Sequence, residues 1–142
     1  MSIKDQNCAY CVHGEPLAAF GIYVCDLSDF SSQYLFKEQS HPGRVIVAPK
    51  AHIEDLTDLT DDQRNAFFAD VARASRAVKA AFHPGKVNYG AYNDKGRHLH
   101  FHLVPKYADE FEWGGVFAMN PGRVTLTDAE YAEMIEKLKA AL

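Results

Sequence analysis

The chain has 142 residues, of which 47% are apolar and 24% are charged, and its formal net charge at pH 7 is -4. This composition excludes a disordered or fibrous chain, because burial of the apolar side chains can offset the entropy that folding costs. Lysines and arginines are scattered along the sequence, which therefore lacks the basic stripe that nucleic-acid binding requires. The length is typical of one globular domain, and we expect residues 1–142 to form a single one.

The beginning of the chain does not resemble a signal peptide, because no basic stretch precedes an apolar core. The apolar stretch at residues 17–25 is too short to cross a bilayer. Three cysteines are an odd number, which does not predict the disulfide framework of a secreted protein. We therefore expect a cytoplasmic protein that does not bind membranes.

Three strands and a long helix are predicted in the first part of the chain. The predicted strands are Phe20–Cys25, Gln33–Lys37 and Arg44–Ala48. The helix begins after Thr60, which has the spacing of a capping box with Gln63, and its apolar residues recur every three or four positions up to Phe82. Residues 83–85, His-Pro-Gly, are expected to end it.

Two more strands and a second helix complete the prediction. The strands are Lys86–Tyr92 and His98–Val104, joined by a tight connection at residues 93–97. An irregular segment follows, and Thr127 with Glu130 forms a second capping box at the start of the last helix. The predicted class is α+β, an antiparallel sheet with one long helix packed on it and a C-terminal helix.

Three histidines at alternate positions form the most informative segment. Because side chains alternate between the faces of a strand, His98, His100 and His102 would line one side. The apolar residues that would enter the core are Leu99, Phe101 and Leu103. The imidazoles could all ligate a metal, or one neutral imidazole could attack phosphorus while its neighbours handle protons and charge. A half-exposed strand that contains histidines by chance is the remaining interpretation.

Cys8 and Cys11 form a second group, separated by two residues. The pair could be a redox motif, but no thioredoxin-like strand and helix surround it. It could also be half of a tetrahedral zinc site, which needs two further ligands. The spacing alone is a weak signal.

The octapeptide HLHFHLVP at residues 98–105 resembles the signature of the histidine triad (HIT) family of nucleotide hydrolases and transferases. Residues 42–52 are similar to the family's glycine turn, apolar strand and Pro-Lys-x-His segment. The resemblance extends from Cys8 to about Lys106, and residues 113–117 resemble a bacterial, zinc-containing branch. The resemblance implies the HIT fold and a homodimer.

The resemblance also implies a mechanism. His100 would attack the α-phosphorus of a dinucleoside polyphosphate or a nucleoside phosphoramidate and form a nucleotidyl-histidine intermediate. Water or another acceptor would then release the nucleotide. His102 would contact a phosphate oxygen or the leaving group, or else orient its neighbours.

A structural zinc ion is implied in the same way. The ligands would be Cys8, Cys11, His52 and His98. His13 is a competing ligand, ranked behind the four. Residues 1–18 would then be a zinc-knuckle-like N-terminal segment, and residues 107–142 a C-terminal tail and helix.

Several positions depart from the family pattern. Arg44 stands where many members have a histidine. It could bind phosphate together with His102, Asn93 and Asp94, or it could be a solvated residue at the edge of a strand. Phe36 stands near the position where many members have an aspartate that grips the ribose, and Asp94 stands where an amide is common. Two alternative functions therefore stay open, a zinc-stabilised nucleotide-binding sensor without turnover and a metalloenzyme that uses all three triad histidines as ligands.

Overall fold

A computed structural model of the chain describes residues 5–142. Residues 1–4, the start of the expected N-terminal segment 1–18, lie outside the described residues. Five antiparallel strands form one sheet in the order β1-β2-β3-β5-β4. The strands are β1 (Gly21–Asp26), β2 (Ser31–Phe36), β3 (Val45–Pro49), β4 (Lys86–Gly90) and β5 (Phe101–Lys106). The predicted α+β class is confirmed.

Four α-helices accompany the sheet in the described part of the chain. They are α1 (Ala9–Val12), α2 (Gly14–Ala18), α3 (Asp61–Phe82) and α4 (Asp128–Ala140), with a 3-10 helix at Leu56–Asp58. Both predicted capping boxes are present, because the hydroxyls of Thr60 and Thr127 each accept a hydrogen bond from the backbone three residues later. No helix within residues 5–142 has the length and apolarity needed to cross a bilayer.

The two faces of the sheet carry different partners. Val45 and Val47 of β3 point to the face that packs against α3 and α4, whereas Ile46 and Ala48 point to the face covered by α1 and α2. The main core contains Leu35, Phe67, Val71, Ala74, Val78, Leu103, Tyr131 and Leu138. Helix α3 therefore buries its apolar side against one face and leaves the other face for the histidines.

The prediction of a strand at His98–Val104 is wrong at its beginning, because β5 starts at Phe101. Its ladder with β3 ends where Val47 faces Phe101. Continued at the same register, the next positions would bring Leu99 opposite Pro49, which has no N–H to donate. The backbone N–H of Leu99 instead donates to the carbonyl of Ile53.

The connection between β4 and β5 is also longer than predicted. The tight turn at residues 93–97 is wrong, since β4 ends at Gly90 and the connection covers residues 91–100. Even so, the three histidines lie on one side of the chain, because the rings of His98 and His100 both meet Tyr10 and the ring of His102 meets Phe36. The longer connection leaves a cavity open beside these rings.

Candidate active site and metal centre

Four cysteine and histidine side chains converge near the N-terminal helices. The potential ligand atoms of Cys8, Cys11, His52 and His98 all lie within 4.8 Å of one another. Cys8 precedes α1 and Cys11 lies within it, so one helical turn brings both thiols to the same side. His52 follows β3, and His98 precedes β5, which is the neighbour of β3 in the sheet. The structure thus brings together all four residues expected to hold zinc.

The distances within this cluster match a tetrahedral zinc site. Zinc with Zn–S bonds of about 2.3 Å and Zn–N bonds of about 2.0 Å separates two nitrogen ligands by roughly 3.3 Å and a sulfur from a nitrogen by roughly 3.5 Å. The Nδ1 atoms of His52 and His98 are 3.3 Å apart. The sulfur-to-Nδ1 distances are 3.3 Å from Cys8 to His98, 3.6 Å from Cys11 to His98 and 3.4 Å from Cys11 to His52. The donor set therefore fits the ion.

The outer ring nitrogens of the two histidines are engaged elsewhere. Nε2 of His98 lies 2.7 Å from the carbonyl of Pro49, which can only accept, so this nitrogen donates and Nδ1 faces the cluster. Nε2 of His52 lies 3.3 Å from the carboxylate of Glu54. The competing ligand His13 is placed differently, because its Nε2 lies 3.1 Å from the hydroxyl of Tyr34. His13 is not part of the cluster.

Metal content is a direct test of this cluster. We expect the purified protein to contain about one zinc ion per chain and the Cys8→Ala variant to contain almost none, because three ligands with an open position bind zinc far less tightly. Elemental analysis by mass spectrometry measures both. The Cys25→Ala variant is the matched control, since this thiol in β1 lies 3.8 Å from Gln33 and outside the cluster. Retention of zinc in Cys8→Ala with loss in His100→Ala would instead support the triad as the metal site.

His100 is oriented by one hydrogen bond to the backbone. Its Nδ1 lies 2.7 Å from the carbonyl oxygen of His98. A carbonyl only accepts, so Nδ1 carries the proton and Nε2 carries a free lone pair. Burial lowers the pKa of His100, and this effect exceeds the opposing influence of the carbonyl of His98. The geometry and the environment both favour a neutral imidazole with Nε2 available.

The ring of Tyr10 supports this orientation. It stacks on the ring of His100 at a centroid distance of 5.2 Å and an interplanar angle of 30°, and it also contacts His98. No sequence motif predicted this role of Tyr10. Its position between the two cysteines indicated only that it would lie near the cluster, not that its ring would stack on His100.

His102 is buried behind His100, in contact with an arginine. The two imidazole rings are 5.3 Å apart, and Nδ1 of His102 lies 3.1 Å from Nη2 of Arg44. Burial, the charge of Arg44 and then the proximity of His100 lower the pKa of His102 to about 2. His102 is therefore neutral at physiological pH.

Arg44 lies inside the protein, with 0% of its surface exposed. Its Nη1 donates to the carbonyl of Ala118 at 3.2 Å, and its Nη2 donates to the carbonyl of Met119 at 2.9 Å. The guanidinium carbon lies 4.1 Å from the ring centre of Phe36 and 5.0 Å from that of Phe117. The guanidinium that was expected to bind phosphate is thus held behind His102.

A cavity of about 1020 Å³ opens beside His100 and His102. Phe36 and Phe117 line it, and so does the exposed Asp94. His100 also lines a smaller cavity of about 220 Å³, to which Asn93 but not Asp94 contributes, so the two loop residues expected to contact phosphate line different cavities. The volume of the larger cavity is at the upper end of the range usual for ligand sites.

Phe117 reaches this cavity from the irregular segment after β5. Its ring packs against Gly90, where a Cβ atom would lie 2.7 Å from it, and it contacts Tyr92 and His102. No periodic pattern surrounds it, so the sequence carried no signal for this position.

Glu112 holds the segment that carries Phe117. Its carboxylate accepts hydrogen bonds from the backbone N–H of Ala118 at 3.0 and 3.1 Å and from Nε2 of buried His41 at 2.7 Å. The amine of Lys106 donates to the carbonyls of Glu112 and Gly115. These contacts fix the backbone next to Arg44.

The contacts of Glu112 predict a loss of stability in acid. Burial raises the pKa of this carboxyl, but the hydrogen bonds from His41 and Ala118, together with the electrostatic attraction of His41 and Lys106, outweigh burial and hold the pKa below its ordinary value. A lowered pKa in the folded state stabilises the protein above about pH 4.3, and this contribution is lost as the pH falls through the lowered value. We expect Glu112→Gln to reduce the free energy of unfolding by about 1–3 kcal/mol at pH 7. The difference from wild type should shrink below about pH 4.

Urea unfolding at pH 7 and at about pH 3 measures this difference. The matched control is Glu110→Gln, because Glu110 lies two residues away and is exposed. The control should unfold like wild type at both pH values. An equal loss of stability in Glu112→Gln at both pH values would contradict the ionised carboxylate as the origin.

The fold and the site define a class of protein in which three histidines at alternate positions line a cavity and the first of them also belongs to a Cys₂His₂ cluster. The sequence pattern of the HIT domain family matches residues 33–109, more than half of the chain. The protein therefore belongs to the HIT family.

Curated relatives share part of the sequence. Protein hit of Bacillus subtilis is 25% identical over 120 residues, 79% of each chain. AP-4-A phosphorylase of Mycobacterium tuberculosis is 32% identical over an alignment of 81 residues, and the match covers 53% of this chain but only 38% of that protein. The adenosine 5′-monophosphoramidase of Schizosaccharomyces pombe is 28% identical over 79 residues, 51% of this chain and 55% of that one.

Solved structures share the fold over most of the chain. A histidine triad protein from Sinorhizobium meliloti superposes with a TM-score of 0.81 at 20% identity, over 91% of this chain and 95% of that one. A zinc-bound histidine triad protein from Mycobacterium smegmatis superposes with a TM-score of 0.66 at 22% identity, over 94% and 91%. The expected HIT fold is confirmed by these likenesses.

Proposed function

We propose that the protein is a nucleotide hydrolase or nucleotidyl transferase that acts through a covalent intermediate on His100. The proposed substrates are dinucleoside polyphosphates and nucleoside phosphoramidates, cleaved at the α-phosphate. The observation that carries the proposal is the hydrogen bond from Nδ1 of His100 to the carbonyl of His98, which leaves Nε2 unprotonated beside the cavity. The names of the mycobacterial and fission-yeast relatives, a phosphorylase and a phosphoramidase, support these two substrate classes.

The proposed reaction has two steps. The lone pair on Nε2 of His100 forms a bond to the α-phosphorus, and the bond from phosphorus to the leaving group breaks with its electron pair on the leaving group. Water then attacks the phosphorus and loses a proton to solvent, while the phosphorus–nitrogen bond breaks and its electron pair returns to Nε2. Phosphoryl transfer depends chiefly on position and on neutralised oxygen charge, which a fixed imidazole and its neighbours provide.

We propose a structural role for zinc. A Cys₂His₂ set fills all four positions of a tetrahedral ion, so it stabilises the fold and offers no position to a substrate. His98 is then a metal ligand, and its backbone carbonyl still accepts the hydrogen bond from His100. His102, Asn93 and Asp94 remain the proposed contacts to the nucleotide.

A second candidate is a nucleotide-binding sensor without turnover. The exposed carboxylate of Asp94 lines the larger cavity, where it would repel a phosphate group. The apolar ring of Phe36 lines the same cavity and cannot bind ribose hydroxyls. These two residues favour weak or non-productive binding of ordinary nucleotides.

Trapping the intermediate distinguishes the enzyme from the sensor. The protein is incubated with diadenosine polyphosphates and with adenosine phosphoramidate, quenched in denaturant at alkaline pH, because acid cleaves a phosphorus–nitrogen bond, and examined by mass spectrometry. We expect an added nucleoside monophosphate on His100 and consumption of substrate, because Nε2 of His100 is the proposed nucleophile. His100→Ala should lose at least about 1000-fold in kcat, as when other nucleophiles are removed.

His83→Asn is the matched control for this experiment. His83 caps the end of α3 in a left-handed conformation that asparagine tolerates, and it should label and turn over like wild type. Recovery of intact substrates and unmodified wild-type protein, with nucleotide bound in a separate assay, would support the sensor instead.

We also propose that residues 1–142 form one HIT domain that pairs as a homodimer. Strand β4 lies at the edge of the sheet, and its Tyr89 is 50% exposed while its hydroxyl contacts Ser75 of α3. An edge strand with an exposed aromatic residue is a suitable surface for pairing with a second sheet.

A charge on this edge should weaken the dimer. We expect sedimentation velocity to show a dimer for wild type and a shift to monomer for Tyr89→Lys, because lysine disfavours edge-to-edge pairing. Tyr23→Lys, at an exposed tyrosine on the opposite edge strand β1, is the control and should remain a dimer. A monomeric wild type would contradict the proposal.

A further inference from the structure

Arg44, which lies behind His102, is held in place by two backbone carbonyls and two aromatic rings. Its Nη groups donate to the carbonyls of Ala118 and Met119, and its guanidinium carbon lies 4.1 Å from the ring centre of Phe36 and 5.0 Å from that of Phe117. Nη2 also lies 3.1 Å from Nδ1 of His102, closer than the 3.5 Å that separates it from the sulfur of Met119. A buried guanidinium held in this way cannot turn toward a ligand, so its function must pass through His102.

A guanidinium has five N–H donors and no acceptor. The nitrogen that faces it must therefore accept, which places a lone pair on Nδ1 of His102. A neutral imidazole carries one proton, so that proton is on Nε2. The neighbouring ring, His100, has the opposite tautomer. The carbonyl of His98 accepts a hydrogen bond from its Nδ1, so the proton of His100 is on Nδ1 and not on Nε2.

We propose that Arg44 is a positioning residue that locks His102 in the Nε2–H tautomer, so that His102 presents a hydrogen-bond donor beside the nucleophilic Nε2 of His100. The catalytic consequence rests on the proposed function, whereas the tautomer is a property of the free protein. The two neighbouring imidazoles then have complementary roles: one offers a lone pair to phosphorus, and the other offers a proton-bearing nitrogen to a phosphate oxygen.

The charge of Arg44 strengthens this arrangement. Burial lowers the pKa of Arg44 to about 10, so the guanidinium is still charged at neutral pH, and Glu38 and Glu112 balance it at longer range. A cation behind His102 disfavours a second proton on that ring and polarises its Nε2–H bond toward the cavity. Phe36, which departs from the family pattern, serves in this arrangement as the cover on one face of the guanidinium.

Nitrogen NMR on the protein with labelled histidines tests the tautomer without any substrate. Long-range proton–nitrogen correlations separate a protonated ring nitrogen from an unprotonated one, and His102→Gln assigns the signals. We expect Nε2 of His102 to be protonated and Nδ1 unprotonated in wild type. A wild-type spectrum with the proton on Nδ1 would overturn the proposal without the need for a variant.

Substitutions at Arg44 test the cause. Arg44→Met keeps a side chain of similar length but removes every N–H donor. The nitrogen chemical shifts of His102 should then move toward the average of the two tautomers. Arg44→Lys keeps a charged donor and should preserve the wild-type pattern. If the protein turns over, Arg44→Met should lower kcat by about 100-fold and change KM less than about threefold, because a donor to the transition state is lost.

Arg123→Met is the matched control. The exposed guanidinium of Arg123 lies 3.8 Å over the ring of Phe111, so the same substitution removes a similar arginine–aromatic contact elsewhere. It should leave the signals of His102 and the kcat unchanged.

A folded Arg44→Met with the wild-type tautomer would refute the role of Arg44 even in an active enzyme. An inactive wild type with the expected tautomers would refute the proposed function and leave the role of Arg44 in fixing His102 intact.

Discussion

A single hydrogen bond, from Nδ1 of His100 to the carbonyl of His98, connects the two halves of the site. On one side, His98 donates from Nε2 to Pro49 and turns Nδ1 to the cysteine and histidine cluster. On the other side, the same residue's backbone decides which nitrogen of His100 is free. The cluster and the proposed nucleophile therefore both depend on His98. A change in the cluster that moved the backbone of His98 would also move the carbonyl that orients the ring of His100.

Much of the fold could be predicted from the sequence because it depends on local patterns. The recurrence of apolar residues between Phe67 and Phe82 predicted α3, and the hydroxyls of Thr60 and Thr127 marked the starts of two helices. The beginning of β5 could not be predicted from alternation alone. It depends on Pro49, a residue about fifty positions away that only the register of the sheet brings opposite the histidines.

The parts of the site that belong to a known sequence motif could be predicted, whereas the contacts made by single residues far apart in the sequence could not. The positions of the four cluster residues followed from the resemblance to the family, and the structure brings them together. The burial of Arg44 had no such signal, because an arginine is almost never fully buried unless it is paired. Its partners at residues 117–119 follow more than seventy positions later, in a segment whose conformation Glu112 and Lys106 maintain.

Described residues on both sides of the matched segment 33–109 contact the site within it. Residues 33–109 include His100, His102 and Arg44, but the two cysteines and Tyr10 precede this segment and Phe117 follows it. An alignment limited to residues 33–109 would show an arginine at position 44 without the residues at 117–119 that contact it. Compared over their full length, relatives that carry arginine there should also carry an aromatic ring in the tail, because Phe117 packs against this guanidinium from outside the matched segment.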